Sequence, residues 1–572
     1  MELNIESIRK EIIGSHTFFN TPYGKRLITY ADYTASGRTL TFIENYLIKL
    51  QEVYANTHTT DSFTGKTMTG ILHKAEKNIK KYLGANENNY IIPTGTGATG
   101  AIVKLSEILG LYLTPGLKMN IDYMRKRIIH KERYNQEIIK DIFKHMSETK
   151  PIIFVSSFEH HSNYLIWKES FAEVIEISLT SSGKFDYLDL ENKCDLYKDR
   201  IKIGSFSAAS NITGMKNDVY LLAKIMHKHH GLAFFDFAAS GPYVEINMNK
   251  DENCYFDAIF LSPHKFVGGP GSAGILVINK NLYSILYPPT VAGGGTVSFV
   301  SPYCYEFTKD VEARENAGTP GILQVIKAAL ALEFKQKIGI KKIVQIEENM
   351  IKKAINELKN EPNIEILGSL DPEKRVSILS FIINQNDKYL HYKLIAKLLN
   401  DLFGIQSRAG CACAGPYAHR LLGIDEAEST LIKEIVDEGM ESLKPGFVRV
   451  NFHYLMSDEE VEFVINAIKF IAHYGYLFLT QYKMEIKSGN WSHNYLNEYN
   501  SIVDSFGLYE SFNISEPQNI LINKKSEFNK YFDEANKTVE NLKREFQPNY
   551  KQFQNKKYED FRWFNFIHHI ND

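Results

Sequence analysis

From Asn89 to Ile278, short apolar runs rich in β-branched residues alternate with helical patterns, and this alternation restricts the possible folds more than any other feature. The runs are Tyr90 to Pro93, Ile152 to Ser156, Ile201 to Ser205, Leu232 to Asp236, Ala258 to Leu261 and Ala273 to Ile278. Strands separated by helices imply an α/β domain with a largely parallel sheet between helices. Ligands of such sheets gather at the carboxyl ends of the strands, and each of the first five runs is followed closely by a Gly, Ser, Asn, His or Asp cluster.

At 572 residues the chain exceeds what one hydrophobic core organises, so several units are expected. We divide it into an N-terminal segment (1–30), a large domain (31–320), a smaller α+β domain (321–474) and a helical C-terminal extension (475–572). Within the large domain a Lys-, Arg- and Glu-rich insert, about 113–150, reads as additional helix. In the smaller domain short strands are expected at Ile364 to Leu367, Val376 to Ile383, Ile405 to Arg408 and Phe447 to Phe452. With 66 basic and 68 acidic residues the net charge is -2, which favours neither nucleic acid nor an anionic membrane as partner. The first residues lack the apolar core of a secretory signal and no spanning run stands out, so a cytosolic location is expected. The five cysteines lack the paired CxxC spacing of a zinc site, and no metal is expected.

Lys265 stands in Ser262-Pro263-His264-Lys265-Phe266-Val267-Gly268-Gly269, directly after the run ending at Leu261. A lysine at a strand end can form a Schiff base, and Ser262 and His264 can donate to a phosphate. A lysine beside glycines is also a common surface turn. Thr94-Gly95-Thr96-Gly97-Ala98-Thr99-Gly100 follows a strand and opens a helix, so its amides can cradle a phosphate, although a plain tight turn uses the same residues. The strand Leu232 to Asp236 ends in a carboxylate that can pair with a protonated ring nitrogen or cap a helix. His160, in Glu159-His160-His161-Ser162, offers an imidazole for stacking and proton transfer, and Asn211 offers an amide for a ring hydroxyl.

The order of glycine-threonine loop, histidine, asparagine, aspartate and lysine resembles the class V aminotransferase superfamily, and most closely its SUF-type cysteine desulfurases. The resemblance runs from about Asp32 to Tyr474 and implies the fold type I of pyridoxal 5'-phosphate (PLP) enzymes. It implies further that Ala98, Thr99, Ser262, His264 and Thr296 bind the cofactor, that His160 stacks on its ring, and that Asn211 and Asp236 contact the ring. Lys265 then holds the cofactor covalently. The segments Ala31 to Gly37 and Asn56 to His58 resemble the family's substrate-side elements, and Gly293 to Thr296 and Ala317 to Pro320 its later loops, which implies a homodimer.

The segment Arg408-Ala409-Gly410-Cys411-Ala412-Cys413-Ala414-Gly415 bears on the reaction. By the same resemblance Cys413 is the cysteine that takes sulfur from PLP-bound L-cysteine, leaving alanine and a persulfide for an acceptor protein. A thiol beside Arg408 and near His419 is placed for a depressed pKa, and Cys411 can relay or protect the sulfur. Two small cysteines also simply fit a tight loop, and then another PLP reaction, transamination or carbon-sulfur elimination, takes the place of desulfuration. A third reading is a noncatalytic scaffold that keeps the fold. Arg449 matches the arginine that grips the substrate carboxylate, with Asn211 beside the substrate. One departure is Ala239, where the desulfurases usually carry glutamine. The Ala238-Ala239 pair and the Gly-Cys-x-Cys loop resemble molybdenum cofactor sulfurases, which also mobilise sulfur through PLP.

Overall fold

The computed structural model describes residues 4–57, 59–129, 148–495, 503, 506–508, 522–547 and 549–570. They form two compact units. The first comprises Met1–Ile12, Tyr33–Ile346 and Glu373–Val376, and the second Ile13–Asp32, Glu347–Pro372 and Ser377–Asp572.

The first unit is built on a seven-stranded sheet. Its strands are β1 (Asn89–Thr94), β2 (Ile152–Ser156), β3 (Glu173–Ile177), β4 (Lys202–Ser207), β5 (Leu232–Asp236), β6 (Ala258–Leu261) and β7 (Gly274–Asn279). The order across the sheet is β1-β7-β6-β5-β4-β2-β3, parallel except for β7, which runs antiparallel to both of its neighbours. Every residue of β2, β4 and β6 is buried, the pattern of strands covered on both faces. Helix Gly97–Ile108 lays Ala98, Ala101, Ile102 and Leu105 into a core with Ile92, Phe234, Phe260 and Leu276. Burying side chains of this size stabilises by about 1.5–3 kcal/mol each. Truncating Phe234 to Ala, which opens a cavity at the centre, should cost about 3–5 kcal/mol. All six sequence-expected strands of this region are present, and β3 is an addition. Its two glutamates, in Glu-Val-Ile-Glu-Ile, weaken the apolar signal, and the strand is only partly buried at the sheet edge. Of the charged insert, helix Pro115–Ile129 is described, and 130–147 lies outside the described residues.

The second unit holds an antiparallel sheet of β8 (Ile364–Ile366), β9 (Ile378–Gln385), β10 (Arg408–Gly410) and β11 (Phe447–Asn451), in the order β8-β9-β11-β10. The expected strand Ile405 to Arg408 is divided: Ile405–Gln406 pairs with Thr29–Tyr30, while Arg408 begins β10. Helix Tyr392–Phe403 buries Leu394, Ile395, Leu398, Leu399 and Leu402 at helical spacing. Gly404 ends it in the left-handed conformation, and a Cβ there would lie 2.3 Å from the Leu27 carbonyl oxygen, so only glycine fits. Asp458–Thr480 is long and apolar enough to cross a membrane by length and composition, yet most of it is buried inside this unit as a core helix. The C-terminal extension, expected as helix, carries one long helix, Lys524–Glu545, and also a three-stranded sheet of Tyr482–Glu485, Trp491–His493 and His568–Ile570. The alternating burial of Tyr482 and Met484 explains the strand. Phe528 of the long helix stacks on Phe463 at 3.8 Å, so the extension shares the core of this unit.

Candidate active site

In the first unit, the carboxyl ends of β4, β5 and β6 lie side by side, with Ser207 paired to Asp236 and Asp236 to Phe260. The chain leaving β6 turns at once through the 3-10 segment Pro263–Lys265, which leaves Lys265 half-buried. Gly37 closes on this turn: its amide donates to the His264 carbonyl at 2.9 Å, and a Cβ would lie 2.1 Å from the Phe266 carbonyl oxygen. The early Ala31 to Gly37 motif and the Lys265 motif therefore meet through Gly37.

Thr94, at the end of β1, leads into the Gly97 turn (φ 58°) and the helix behind it. A Cβ on Gly274 would lie 2.3 Å from the Gly97 carbonyl, which is why glycine begins β7. The N-cap Thr96 gives the helix no side-chain cap. Instead the Ala98 amide donates to Ser262 Oγ at 2.9 Å, tying the Gly-Thr loop to the Lys265 loop. Thr99 is exposed, and its hydroxyl meets Ser162 Oγ at 2.7 Å. Ser162 also meets His160: its amide donates to Nδ1 at 3.2 Å, which assigns the imidazole proton to Nε2. Two hydrogen-bonded links thus meet at the adjacent residues Ala98 and Thr99: Ala98 to Ser262, and Thr99 through Ser162 to His160.

Burial raises the pKa of Asp236, opposed by the Ala238 amide, which donates to Oδ1 at 2.8 Å, and by the Lys265 ammonium. Burial, and then Lys265, lower His264 to about 4, so its imidazole is neutral at neutral pH. Asn211 is buried in the Ser210 to Gly214 turn after β4, closed by the Gly214 amide on the Ser210 carbonyl at 2.9 Å. Thr296 is fully buried and donates to the Gly293 carbonyl at 2.7 Å, so its hydroxyl closes its own loop. Gly318 bonds to the Gly294 carbonyl at 2.8 Å, and Asn56 to Thr319 at 3.3 Å; His58 lies outside the described residues.

Two supporting residues escaped the sequence reading. Glu159, beside His160, accepts from the Ser207 amide at 2.9 Å and from Asn163 Nδ2 at 2.6 Å, bracing the ends of β2 and β4; burial raises it to about 7 despite these bonds. Lys335 is buried under the Lys265 loop, donates to the Gly241 carbonyl at 2.7 Å and lies over the Phe266 ring; burial lowers it to about 7. Neither stands out in the sequence, where Glu159 lies in Ser157-Phe158-Glu159-His160-His161 and Lys335 in Glu333-Phe334-Lys335-Gln336-Lys337.

In the second unit, β10 and β11 put Arg408 directly opposite Arg449. Arg449 is buried, and its Nη2 donates to Asp32 at 2.7 Å. Such a cross-strand pair of like charges is unfavourable unless anions answer it. Asp32 answers one guanidinium; the other reaches Cys413 Sγ at 4.0 Å. Cys413 is exposed, whereas Cys411 is half-buried and its thiol donates to the Pro445 carbonyl at 3.2 Å. His419, expected near Cys413, has Nδ1 3.1 Å from Ser429 Oγ, and burial followed by Lys444 lowers its pKa. The helical turn after the loop carries it toward Ser429.

A parallel sheet whose lysine, aspartate and glycine-threonine loop share one edge defines an α/β enzyme class. Residues 135–464, more than half of the chain, match the class V aminotransferase family, and the chain belongs to that family, which uses PLP. Among curated relatives it is 29% identical over 330 residues to a "probable cysteine desulfurase" of Pyrococcus abyssi, covering 57% of this chain and 73% of that one. It is 30% identical over 269 residues to a cysteine desulfurase of Wigglesworthia glossinidia brevipalpis, covering 46% of this chain and 62%, less than two thirds, of the relative. The fold matches the apo structure of a cysteine desulfurase from Thermococcus onnurineus with a TM-score of 0.63 at 22% identity, over 82% of this chain and 98% of that one.

The first unit's residues suit PLP. A protonated ring nitrogen supplies the positive charge that a buried carboxylate such as Asp236 calls for, and the uncapped start of helix Gly97–Ile108 suits a phosphate.

Proposed function

We propose that this chain is a PLP-dependent cysteine desulfurase, which converts L-cysteine to L-alanine, takes the sulfur as a persulfide on Cys413 and passes it to an acceptor protein. The observation that carries this reading is the exposed Cys413 beside the Arg408 guanidinium, in a chain that also has the Lys265, Asp236 and His160 set.

Lys265 would hold the cofactor, which would supply an electron sink for charge developing at the substrate's α-carbon. Asp236 balances the charge that this requires. The Lys265 amine moves a proton at the α-carbon, with His160 as its partner in proton transfer. Arg449, held by Asp32, binds the substrate carboxylate with the rest of its fork. Cys413 Sγ then attacks the substrate sulfur: an S–S bond forms on Cys413, the carbon–sulfur bond breaks, and the carbon skeleton leaves as alanine. Ala98, Thr99, Ser262 and His264 hold the phosphate and Asn211 the ring hydroxyl, with Thr296 a further cofactor contact.

A homodimer and a cytosolic location belong to the same reading. The dimer is supported by the apolar surface of the first unit around Leu286, Tyr287, Tyr303 and Tyr305, in which Tyr303 is 96% exposed. The test is Cys413→Ser: alanine formation from L-cysteine is expected to fall at least a hundredfold while the cofactor spectrum stays. Sulfide release that survives this change undiminished, without added thiol, would make the chain a carbon-sulfur lyase with structural cysteines.

A further inference from the structure

Cys411 and Cys413 occupy the first and third positions of one four-residue turn, closed by the Ala414 amide on the Cys411 carbonyl at 3.2 Å. The central residues, Ala412 and Cys413, have φ of 48° and 56°. Two successive left-handed residues define a type I′ turn, a conformation normally left to Gly and Asn. Residues two apart are separated by at most about 7 Å, and a tight turn brings their Cα atoms into the window of about 4.4–6.8 Å that a disulfide requires.

The two thiols differ in access. Cys413 is exposed beside Arg408, while Cys411 is half-buried and hydrogen-bonded to Pro445. Burial raises the Cys411 pKa, with Lys444 opposing the shift. Sulfur delivered to this turn therefore lands on the exposed thiol with a second, protected thiol in reserve behind it.

We propose that Cys411 is a resolving thiol for the Cys413 persulfide, so that the turn can discharge its sulfur as free hydrosulfide as well as hand it to an acceptor. This rests on the desulfurase reading, which supplies the persulfide. Cys411 Sγ attacks Cys413 Sγ, a Cys411–Cys413 disulfide forms, and the bond from Cys413 to the outer sulfur breaks. The outer sulfur is reduced and leaves as hydrosulfide with the proton from Cys411, while the two cysteine sulfurs become the oxidised pair. An external dithiol returns the disulfide to two thiols and is itself oxidised to a disulfide. The product then suits a consumer of inorganic sulfide.

The test uses the full-length holoenzyme, wild type and Cys411→Ser, in a single turnover with L-cysteine and no reductant. Alanine and sulfide are quantified, and the peptide spanning 411–413 is weighed. In the wild type the peptide should become two hydrogens lighter, with sulfide released in proportion to alanine. In Cys411→Ser the peptide should carry one additional sulfur, and persulfide per alanine should rise about tenfold. Cys411→Ala serves as a second variant should the serine perturb folding, with the same expectation. Equal persulfide per alanine in wild type and variants overturns the resolving role and leaves desulfuration intact. No alanine from any of the proteins overturns the desulfurase reading, and this proposal with it.

Discussion

The edge of the first sheet and the cysteine turn of the second unit solve opposite problems. At the sheet edge three buried polar groups are braced: Asp236 by Ala238, Ser262 by Ala98, and Glu159 by Ser207 and Asn163. The cysteine turn is exposed at Cys413 and strained at two successive residues. The first region fixes charges where their energies depend on burial, as a cofactor platform requires. The second presents one atom to the outside and can afford local conformational cost, as a group that must receive and surrender a ligand requires.

The comparison breaks most severely at Lys265. Lys265→Ala should abolish activity, by on the order of a thousandfold or more, and remove the absorbance of bound cofactor, read in the visible spectrum after reconstitution. Asp236→Asn keeps the shape but not the charge, and kcat should fall about a hundredfold with the fold intact by circular dichroism. Arg449→Ala should raise KM for L-cysteine and cost about 3–5 kcal/mol in denaturant unfolding, because Asp32 loses the partner of a largely buried ion pair.

The smallest effect sharpens the contrast through pH. Glu159 has its folded pKa raised to about 7 from the ordinary carboxylate value of 4.5, so the folded state holds the proton more tightly than the unfolded one. Its stabilising contribution is complete below about 4.5 and is lost as pH rises through about 7. Thermal unfolding followed from pH 5 to pH 8 should show a decline that Glu159→Gln lacks. An identical decline in the variant would show that the bracing carboxylate is ionised throughout.

The two regions were also unequally legible in the sequence. The strands ending at Ser156, Asp236 and Leu261 were visible because parallel strands buried on both faces read as unbroken apolar runs. The residues following them could be singled out because chemistry at such sheets concentrates at strand ends. What stayed hidden depends on contacts between distant positions: Glu159 reaching Ser207, Lys335 reaching Gly241, and Asp32 reaching Arg449 across 417 residues. The two left-handed residues at Ala412 and Cys413 escaped for a local reason, since neither residue type announces a positive φ. The strands of the C-terminal extension escaped because each is only three or four residues long, and the partner of Tyr482–Glu485 at His568–Ile570 is far away in sequence.

The central claim is that the braced edge and the exposed thiol serve one reaction. It is tested most directly by a single turnover of the reconstituted full chain with L-cysteine, counting alanine against the sum of sulfur on the 411–413 peptide and sulfide in solution. The account predicts equal amounts of alanine and sulfur, with every sulfur traceable to Cys413. Pyruvate and ammonia in place of alanine, or a normal cofactor spectrum with no alanine at all, would contradict it.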